Sequence, residues 1–377
     1  MESLELKEKY VKEEARISIA EAKSEAERQA IYRFRYQVLV NEMGRNIPGY
    51  IDKSKRVSDR LDSWSHLFYA ESQGQIIGTA RVNVGGANDF PQEFYNIFQL
   101  GRFEQFCSQS NYLLGSKVIV APKYRRTALF FRLMGKCYEV VRNYHVQFSF
   151  GGCNPYLLPI YEQFGYRYFF PGFQDPGFGF IVPILLVGED IEFYNVVRSP
   201  FLRIARKHPN SPAARAWLTE NFSEALKYPA GLLTSESERW EYIAAVVGDP
   251  LANLPVLESF NEAEARCLLR VGSLIECRSG QQLIRWGDVC NELYILLAGE
   301  MVVDDRYKRT WRAKQGDTVG EMGLFGQTHH QVNVTAITDC KLLVISRFPF
   351  EKARRSMPEM AAKILVARMF RRDDEDE

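Results

Sequence analysis

The sequence predicts an α+β protein with two domains: a mixed sheet flanked by helices, then a helical linker, then an all-β jelly-roll-like domain with flanking helices. The chain has 377 residues, which is too long for one ordinary hydrophobic core. Its first half alternates strand-like and helix-like segments, whereas residues 280–365 repeat short β-branched or aromatic runs that end at glycine. We therefore predict domains at residues 15–190 and 251–372, with the linker at 191–250.

The first domain begins with a strand-like alternation at residues 16–22. Ser24 and Glu27 then form an S-x-x-E capping box, which opens a helix running to about Met43. Apolar residues on one face predict a long helix at 125–143. The other predicted elements are strands at 66–71, 75–84, 116–121, 147–150, 166–170 and 178–187, and a short helix at 154–164.

Glycine punctuation predicts that the second domain is a small antiparallel β-roll of the ligand-sensing type. A capping box of Asn261 and Glu264 leads into it, a helical pattern covers 349–372, and an acidic tail occupies 373–377. Glycine supplies the positive-φ corner of each turn, and an acidic neighbour caps most of them. The turns are Gly280, Gly287-Asp288, Gly299-Glu300, Gly316-Asp317 and Gly320-Glu321.

Composition argues against several functional classes. The formal net charge is +1, so no broad basic field indicates nucleic acid as a partner. Seven cysteines without a C-x-x-C pair indicate reduced thiols, and residues 1–14 are too charged for a secretory signal. The longest apolar run, 178–187, contains Pro183 and is too short to span a bilayer. We expect a cytoplasmic protein without a transmembrane segment.

The strand 117–120 and the turn after it resemble the cofactor-binding turn of the GNAT acyltransferases. A helix amino terminus there would direct backbone N–H groups at a phosphate of coenzyme A or of phosphopantetheine. The cofactor-binding residues that this resemblance implies, together with Asn154 further along, are Val118, Val120, Arg125, Arg126, Thr127 and Ala128.

A second GNAT-like segment lies downstream of this turn. Asn154-Pro155-Tyr156 and the run 161–166 resemble the family's "N…lYeklGF" segment. The resemblance implies that Asn154 bonds the pantetheine arm and that Tyr161 protonates the departing thiolate. Tyr161 has a plainer interpretation as a core residue.

The phosphate turn departs from the GNAT pattern. Arg126, Ala128 and Phe130 stand where small glycines normally lie. This crowding favours a single phosphate, as on a carrier protein's phosphopantetheine, over the pyrophosphate and nucleotide of coenzyme A. We expect acyl-phosphopantetheine on an acyl carrier protein, or acyl-CoA, as the donor.

A charged pattern in the first domain resembles the autoinducer (acyl-homoserine-lactone) synthases and the related N-acyl amino acid synthases. The matching residues are Arg35 on the first helix, Asp59 and Asp62 in D-x-x-D, and Arg81 in G-x-x-R. The resemblance implies a charged cluster beside the acyl-donor cleft. Where those synthases have E-x-S-R, this chain has Leu114-Gly115-Ser116-Lys117. The difference argues against homoserine-lactone formation in particular and favours a different amine acceptor.

Amine acylation explains why such residues would be needed. An amine attacks a thioester only when neutral, so a carboxylate must accept its proton, and Asp62 or Asp59 is the candidate. The 118–120 edge would steady the oxyanion, and Arg81 or Lys117 would recognise a substrate carboxylate. The alternative is that Arg35, the two aspartates and Arg81 form only a structural ion-pair network.

The second domain resembles the cyclic-nucleotide-binding domain over residues 251–370. By that resemblance the nucleotide-like ligand would meet Gly320, Glu321, Met322, His330 and Gln331. His330 replaces the family's phosphate-binding arginine, and a neutral imidazole cannot pair bidentately with phosphate. Three outcomes stay open: a different or weak ligand, binding by protonated histidine, or a structural dimerisation unit. His329 and His330 are strand neighbours that point to opposite faces, so we expect no metal site.

We therefore expect an N-acyltransferase that moves an acyl group, from an acyl carrier protein or coenzyme A, to the amine of an amino acid or related small molecule. The β-roll would regulate it or form a homodimer. The alternatives are a nucleotide-sensing adaptor with an inactive acyltransferase fold, and a protein lysine acyltransferase. A fatty acyl group is suggested by aromatic residues suited to an apolar tunnel: Phe148, Phe150, Tyr156, Phe169 and Phe170.

Overall fold

A computed structural model describes residues 17–47, 53–86, 90–169, 171–222, 235–305, 307, 309–326, 329–359 and 362–364. The chain forms two compact units. Unit 1 takes the chain up to Gly151 with Leu186–Asn195 and Pro200–Trp217, and unit 2 takes Gly152–Leu185, Val196–Ser199 and the chain from Leu218 onward. The division differs from the predicted domain boundaries, because residues 152–185 group with the β-roll. The predicted features at 1–14, Phe170 and 373–377 lie outside the described residues.

Unit 1 contains the mixed sheet that the sequence predicts. Antiparallel pairing joins each of the first three strands to the next, and the fifth strand runs parallel to the fourth. Gln73 and Gly74 both have positive φ, 54° and 73°, which is the geometry of a tight two-residue hairpin turn. The strands are β1 (Ser18–Glu21), β2 (His66–Ser72), β3 (Gln75–Val84), β4 (Tyr112–Val120) and β5 (Phe148–Cys153), which continues into unit 2.

The helices of unit 1 confirm the first predicted helix and change others. The Ser24 capping box is formed, and α1 (Glu25–Tyr36) continues as a π-helical segment, Gln37–Glu42. Two further helices were not predicted: α2 (Gln92–Phe98) and α3 (Leu100–Phe103). Both are short and have no side-chain cap.

The long helix α4 (Leu129–Asn143) begins four residues later than predicted. A 3-10 turn at Pro122–Tyr124 precedes it, Arg125 is extended, and Arg126 is left-handed with φ 66°. The extended Arg125 and the left-handed Arg126 both depart from helical geometry, so the helix cannot extend back to Arg125. The predicted placement of the two arginines on the first helical turn was therefore wrong.

Aromatic rings fill the core of unit 1. The Phe103 ring centroid lies 4.9 Å from that of Phe148, 5.0 Å from Phe150 and 5.5 Å from Trp217. Phe148 and Phe150 are fully buried, and edge-to-face contacts of this kind stabilise a packed core. These two rings therefore form core packing rather than the lining of an acyl tunnel.

Unit 2 begins with the downstream part of the first predicted domain. After a 3-10 turn at Pro155–Leu157, α5 (Leu158–Phe164) ends at Gly165, which has φ 103° as the helix stop requires. β6 (Arg167–Tyr168) and β7 (Phe173–Asp175) each pair antiparallel with β8 (Gly179–Val187), whose last residues belong to unit 1. The predicted strand at 166–170 is shorter than expected, and β7 was missed.

The predicted linker is helical, and one of its helices joins the core of the β-roll. Ile243 and Val247 pack with Leu268, Leu293 and Leu343. The helices are α6 (Ile191–Val196), α7 (Leu202–Ala205), α8 (Ala213–Asn221), α9 (Glu236–Val247) and α10 (Pro250–Asn253).

The β-roll confirms the predicted jelly-roll-like domain. Its two four-stranded sheets have the orders β10-β15-β12-β13 and β14-β11-β16-β9, and α11 (Glu262–Arg270) and α12 (Arg347–Ser356) flank them. Gly299 shows why glycine is needed, because it has φ 96° and a Cβ there would lie 2.6 Å from the Asp339 carbonyl oxygen. The strands are β9 (Ser273–Cys277), β10 (Gln282–Ile284), β11 (Glu292–Ala298), β12 (Met301–Asp305), β13 (Thr310–Ala313), β14 (Thr318–Val319), β15 (Val332–Ala336) and β16 (Cys340–Ser346).

Candidate functional site

Unit 1 brings the predicted charged residues together in one buried network, which we call the ion cluster. Arg35 on α1 donates to Asp62 at 2.8 Å. Arg81 on β3 contacts Asp59 at 2.5 Å and Asp62 at 3.1 Å. Lys117 on β4 lies 3.0 Å from Asp59. Three cations and two carboxylates share the network, so its formal charge is positive.

The D-x-x-D spacing is first of all a helix cap. Asp59 precedes the 3-10 helix Arg60–Trp64 and accepts from the Leu61 N–H at 2.9 Å, while Asp62 accepts from the Asp59 N–H at 2.9 Å. This reciprocal bonding is a capping box. The cap holds both carboxylates on one side of the short helix, where Arg35 and Arg81 can reach them.

Only one edge of the ion cluster reaches solvent. The side chains of Arg35, Asp62 and Arg81 are exposed by 3% or less, whereas those of Lys117 and Asp59 are exposed by 7% and 12%. Asp62 accepts from Arg35, Arg81 and a backbone N–H, so it lies behind this edge. An incoming molecule would therefore meet Asp59 and Lys117 first, and the predicted role of Asp62 as a base stays a prediction.

The environment separates the protonation behaviour of these two groups. Burial raises the pKa of Asp59, but Arg81 and Lys117 outweigh it and hold the pKa well below its usual range. Burial, reinforced by Arg81 and opposed by Asp59, lowers the pKa of Lys117 to about 8. At the open edge, Lys117 rather than Asp59 changes charge close to neutral pH.

A β-bulge places Lys117 in this position. Arg81 pairs with Ser116 and Thr79 with Ile119, so β4 has one more residue than β3 across this stretch. Lys117 has φ 50°, a left-handed conformation that is uncommon for a residue with a side chain. Of the predicted backbone N–H donors, Val118 lies within the irregular stretch, whereas Val120 pairs with Gly78 on β3.

The predicted phosphate turn is engaged by the protein itself. Arg125 makes a two-pronged ion pair with Glu42, at 2.8 and 2.5 Å, and Arg126 is exposed. The Thr127 hydroxyl accepts from the Leu129 N–H at 3.2 Å, and Ala128 immediately precedes α4. Arg125 would have to leave Glu42 before it could pair with a phosphate.

Asn154 and Tyr161, the other predicted donor-site residues, lie in unit 2. Asn154 donates from Nδ2 to the carbonyl oxygens of Phe178 at 2.9 Å and Phe180 at 3.3 Å. Tyr161 is half-buried on α5, and its ring meets that of Tyr166 edge-on at 5.5 Å. Asn154 is therefore oriented by the backbone around the start of β8, and both donor-site roles stay predictions.

The predicted nucleotide site of the β-roll has a buried polar group at its phosphate position. The ring of His330 lies 3.3 Å from the Glu292 carboxylate, and Tyr294 donates to the same carboxylate oxygen at 3.0 Å. Gly320 has φ 82°, and a Cβ there would approach the His330 ring at 3.4 Å. Burial and the Glu292 carboxylate raise the pKa of the Tyr294 hydroxyl well above its usual range.

The remaining predicted ligand residues lie nearby in sequence. Gln331 is exposed and Met322 is half-buried, and the side chain of Glu321 lies outside the described residues. No group of three or more His, Cys, Asp or Glu residues suited to a metal ion occurs in the described part of the chain.

Two family models match the chain. The acetyltransferase (GNAT) domain matches residues 34–135, and the cyclic nucleotide-binding domain matches residues 274–356. The chain carries a GNAT domain followed by a cyclic nucleotide-binding domain. Both resemblances predicted at the level of the domain are confirmed, whereas the resemblance to autoinducer and N-acyl amino acid synthases stays a prediction.

Known proteins match parts of this chain. It is 29% identical over 101 residues to the Pycsar effector protein XpPycTIR of Xanthomonas perforans, covering 26% of this chain and 33% of that protein. It is 30% identical over 105 residues to the cAMP-dependent protein kinase regulatory subunit of Eremothecium gossypii, covering 28% of this chain and 23% of that subunit. The matches therefore span a third or less of these relatives.

One solved structure similar to this chain is the regulatory subunit of a cAMP-independent protein kinase A from Trypanosoma brucei. It is 18% identical, with a TM-score of 0.31 and coverage of 52% of this chain and 53% of that one. No helix in the ranges that the structure describes is both long and apolar enough to cross a bilayer.

Sequence reasoning missed several residues that complete these sites. Arg28 donates to the Asp62 carbonyl oxygen at 2.6 Å, and Ser116 accepts from Arg81 at 2.9 Å. Arg28 lies two helical turns before Arg35, and that spacing could have placed both on one face. Glu292 precedes Tyr294 by two strand positions, which likewise puts both on one face.

Proposed function

We propose that this protein is an N-acyltransferase that transfers an acyl group from a thioester, on an acyl carrier protein or coenzyme A, to the amine of an amino acid or related small molecule. The observation that supports it most is the ion cluster next to the β4 bulge of a GNAT domain. Lys117 and Asp59, its two least buried members, carry opposite charges at the edge where the cluster reaches solvent.

The open edge suits an acceptor that arrives as an ammonium ion. Asp59 is anionic throughout the neutral range, because its pKa is held low, and it would attract the ammonium group. While Lys117 is protonated, the ion cluster carries a net positive charge, which favours an acceptor that also carries a carboxylate; loss of the Lys117 proton brings this net charge to zero.

Lys117 is the proton acceptor that this geometry favours. Its neutral form takes one proton from the ammonium and passes it to solvent, which leaves a neutral amine to attack the thioester carbon. The C–N bond forms, the C–S bond breaks, and the second proton from nitrogen ends on the sulfur. Backbone N–H groups at 118–120 would stabilise the oxyanion.

The β-roll would then regulate this activity through a cyclic-nucleotide-like ligand. The family model over residues 274–356 supports this ligand class, and one relative is named as a cAMP-dependent subunit. His330 in place of a phosphate-binding arginine favours weaker binding than an arginine would provide. Use of the β-roll as a dimerisation unit stays a prediction.

Mass spectrometry of products from a panel of acyl-carrier-protein and acyl-CoA donors with amino acid acceptors tests the proposal. We expect an N-acyl product from the full chain and its loss in Lys117→Met. The matched control is Lys136→Met, because Lys136 forms an exposed pair with Glu139. Asp62→Ala tests the carboxylate base: an unchanged rate would remove Asp62 from the mechanism.

A nucleotide-sensing adaptor without turnover is the second candidate. The Arg125–Glu42 ion pair favours it, because that pair occupies the arginine expected to hold a donor phosphate. No product with any donor, together with measurable cyclic nucleotide binding, would establish the adaptor. Adding protein acceptors to the panel separates a protein lysine acyltransferase by the mass of the acceptor.

A further inference from the structure

The turn between β7 and β8, residues 176–178, contacts Asn154 on one side and the β-roll on the other. Asp175 Oδ1 accepts from the N–H groups of Gly177 at 2.8 Å and Phe178 at 2.9 Å. This side-chain bonding fixes the turn locally. The Phe178 carbonyl then points to Asn154, which donates to it at 2.9 Å. Asn154 is therefore hydrogen-bonded to the last residue of the turn.

The opposite side of the same segment is bonded to the β-roll. Arg285 donates from Nη1 to the Pro176 carbonyl at 3.1 Å, and Gln281 donates to the Gly172 carbonyl at 2.6 Å. Gln174 donates to the Gln282 carbonyl at 2.5 Å. A Cβ on Gly179 would lie 2.6 Å from Asp288 Oδ2, so Asp288 packs directly against the start of β8.

The β-roll residues that make these contacts are also tied to His330. Arg285 Nη2 is paired with Asp288 at 3.0 Å. The His330 N–H donates to the Asp288 carbonyl at 2.9 Å, and the Gly287 N–H donates to the His330 carbonyl at 3.0 Å. Two backbone hydrogen bonds thus join the 285–288 turn to His330, the residue at the predicted position of the family's phosphate-binding arginine.

We propose that Arg285 and Asp288 of the β-roll are positioning residues for the acyl-donor segment, acting through the β7–β8 turn on Asn154. The proposal rests on the proposed function for its consequence, because Asn154 is the predicted partner of the pantetheine arm. A ligand that moves His330 would displace the 285–288 turn, and the Pro176 and Gly179 contacts would transmit that shift. All the residues that make this series of contacts, from Asn154 to His330, belong to unit 2.

Simple adhesion between neighbouring segments is the competing explanation, since adjacency alone does not establish coupling. Adhesion predicts that loss of Arg285 loosens the β7–β8 turn and nothing further. Positioning predicts that the same change also reaches Asn154, and that a change at His330 reaches the turn. Hydrogen exchange of the full chain measures both without any turnover.

The variant Arg285→Ala removes the bond to Pro176 and the pair with Asp288. We expect exchange at residues 173–182 and at 152–158 to quicken roughly fivefold, the size expected for one lost hydrogen bond. Arg285→Lys keeps a donor and should restore most of the protection. The matched control is Arg312→Ala, whose exposed pair with Glu300 lies at β13, the opposite edge of the sheet from β10. His330→Gln should quicken exchange at 173–182.

Activity supplies a second readout. Arg285→Ala should raise the KM for the acyl donor several-fold with little change in kcat, because it misplaces a binding residue and leaves the ion cluster intact. Unchanged exchange at 152–158 in Arg285→Ala, or at 173–182 in His330→Gln, would overturn the proposal. If no donor is turned over, the proposed function fails, while the exchange measurements still decide the coupling.

Discussion

The strongest physical prediction concerns the stability cost of the Lys117 cation. Its side chain is 7% exposed, and its pKa is lowered from 10.5 to about 8. That difference corresponds to about 3 kcal/mol of free energy of unfolding. Replacement by methionine keeps the length of the side chain, removes the charge, and leaves Asp59 paired with Arg81.

The sign of the pH dependence follows from proton counting. Below about pH 8 the lysine is charged in both states, so the folded protein carries the full cost. Between about pH 8 and 10.5 the folded state has released the proton while the unfolded state still binds it. Stability attributable to Lys117 therefore rises with pH across this window. The advantage of Lys117→Met over the wild type should shrink by about 3 kcal/mol across the same window.

Urea unfolding of the full chain, followed by circular dichroism from pH 7 to 10.5, measures this difference. Other groups titrate in this pH range in the unfolded state only. In the folded state burial raises the pKa of Cys137 to about 12 and that of Tyr138 to about 12. Stability from these two groups is lost as the pH rises, but it is lost equally in both proteins and cancels in the difference. Lys136→Met is the control. A difference between Lys117→Met and wild type that is flat or grows with pH would refute the reasoning.

Three further predictions follow from single contacts. Arg35→Met removes one of two cations paired with the buried Asp62 carboxylate and should cost about 1.5–3 kcal/mol of unfolding free energy in urea titrations, the size of one lost hydrogen bond to a charged group; a loss below 1 kcal/mol would contradict it. His330→Arg should raise cyclic AMP affinity at least roughly tenfold in calorimetry, because guanidinium pairs bidentately with phosphate, whereas His329→Arg should not. Gly299→Ala should lower stability by at least about 1–2 kcal/mol, because alanine is strained at φ 96° and meets a carbonyl oxygen. Its control is Gly101→Ala, where a Cβ meets nothing within 4 Å, and an equal effect of the two would argue against strain.

Local patterns in the sequence were sufficient to predict the structure of a segment wherever contacts within that segment determine it. The capping boxes at Ser24 and Asn261 form as predicted. Each brings its bonding atoms together within three residues, so no distant contact is needed. Glycine turns in the β-roll and the stop at Gly165 were predictable for the same reason, since positive φ depends on the residue itself.

Predictions of element boundaries and of short helices were wrong where packing against residues distant in the sequence determines the structure. α2 and α3 have no side-chain cap, and Phe103 is buried against Phe148, Phe150 and Trp217. The sequence around Phe103 does not predict contacts with residues that lie more than forty positions away. The same holds for α9, whose Ile243 and Val247 find their apolar contacts in the β-roll.

The sequence by itself determined the two domain types, the residues of the ion cluster and the histidine at position 330, because these depend on motifs and residue identities. Only the tertiary structure decided which of those residues an incoming molecule can meet. Asp62 lies behind Arg35 and Arg81, whereas the β4 bulge brings Lys117 to the open edge beside Asp59. Burial and neighbouring charge set the pKa of a group, and both arise from residues brought together by folding rather than by spacing along the chain.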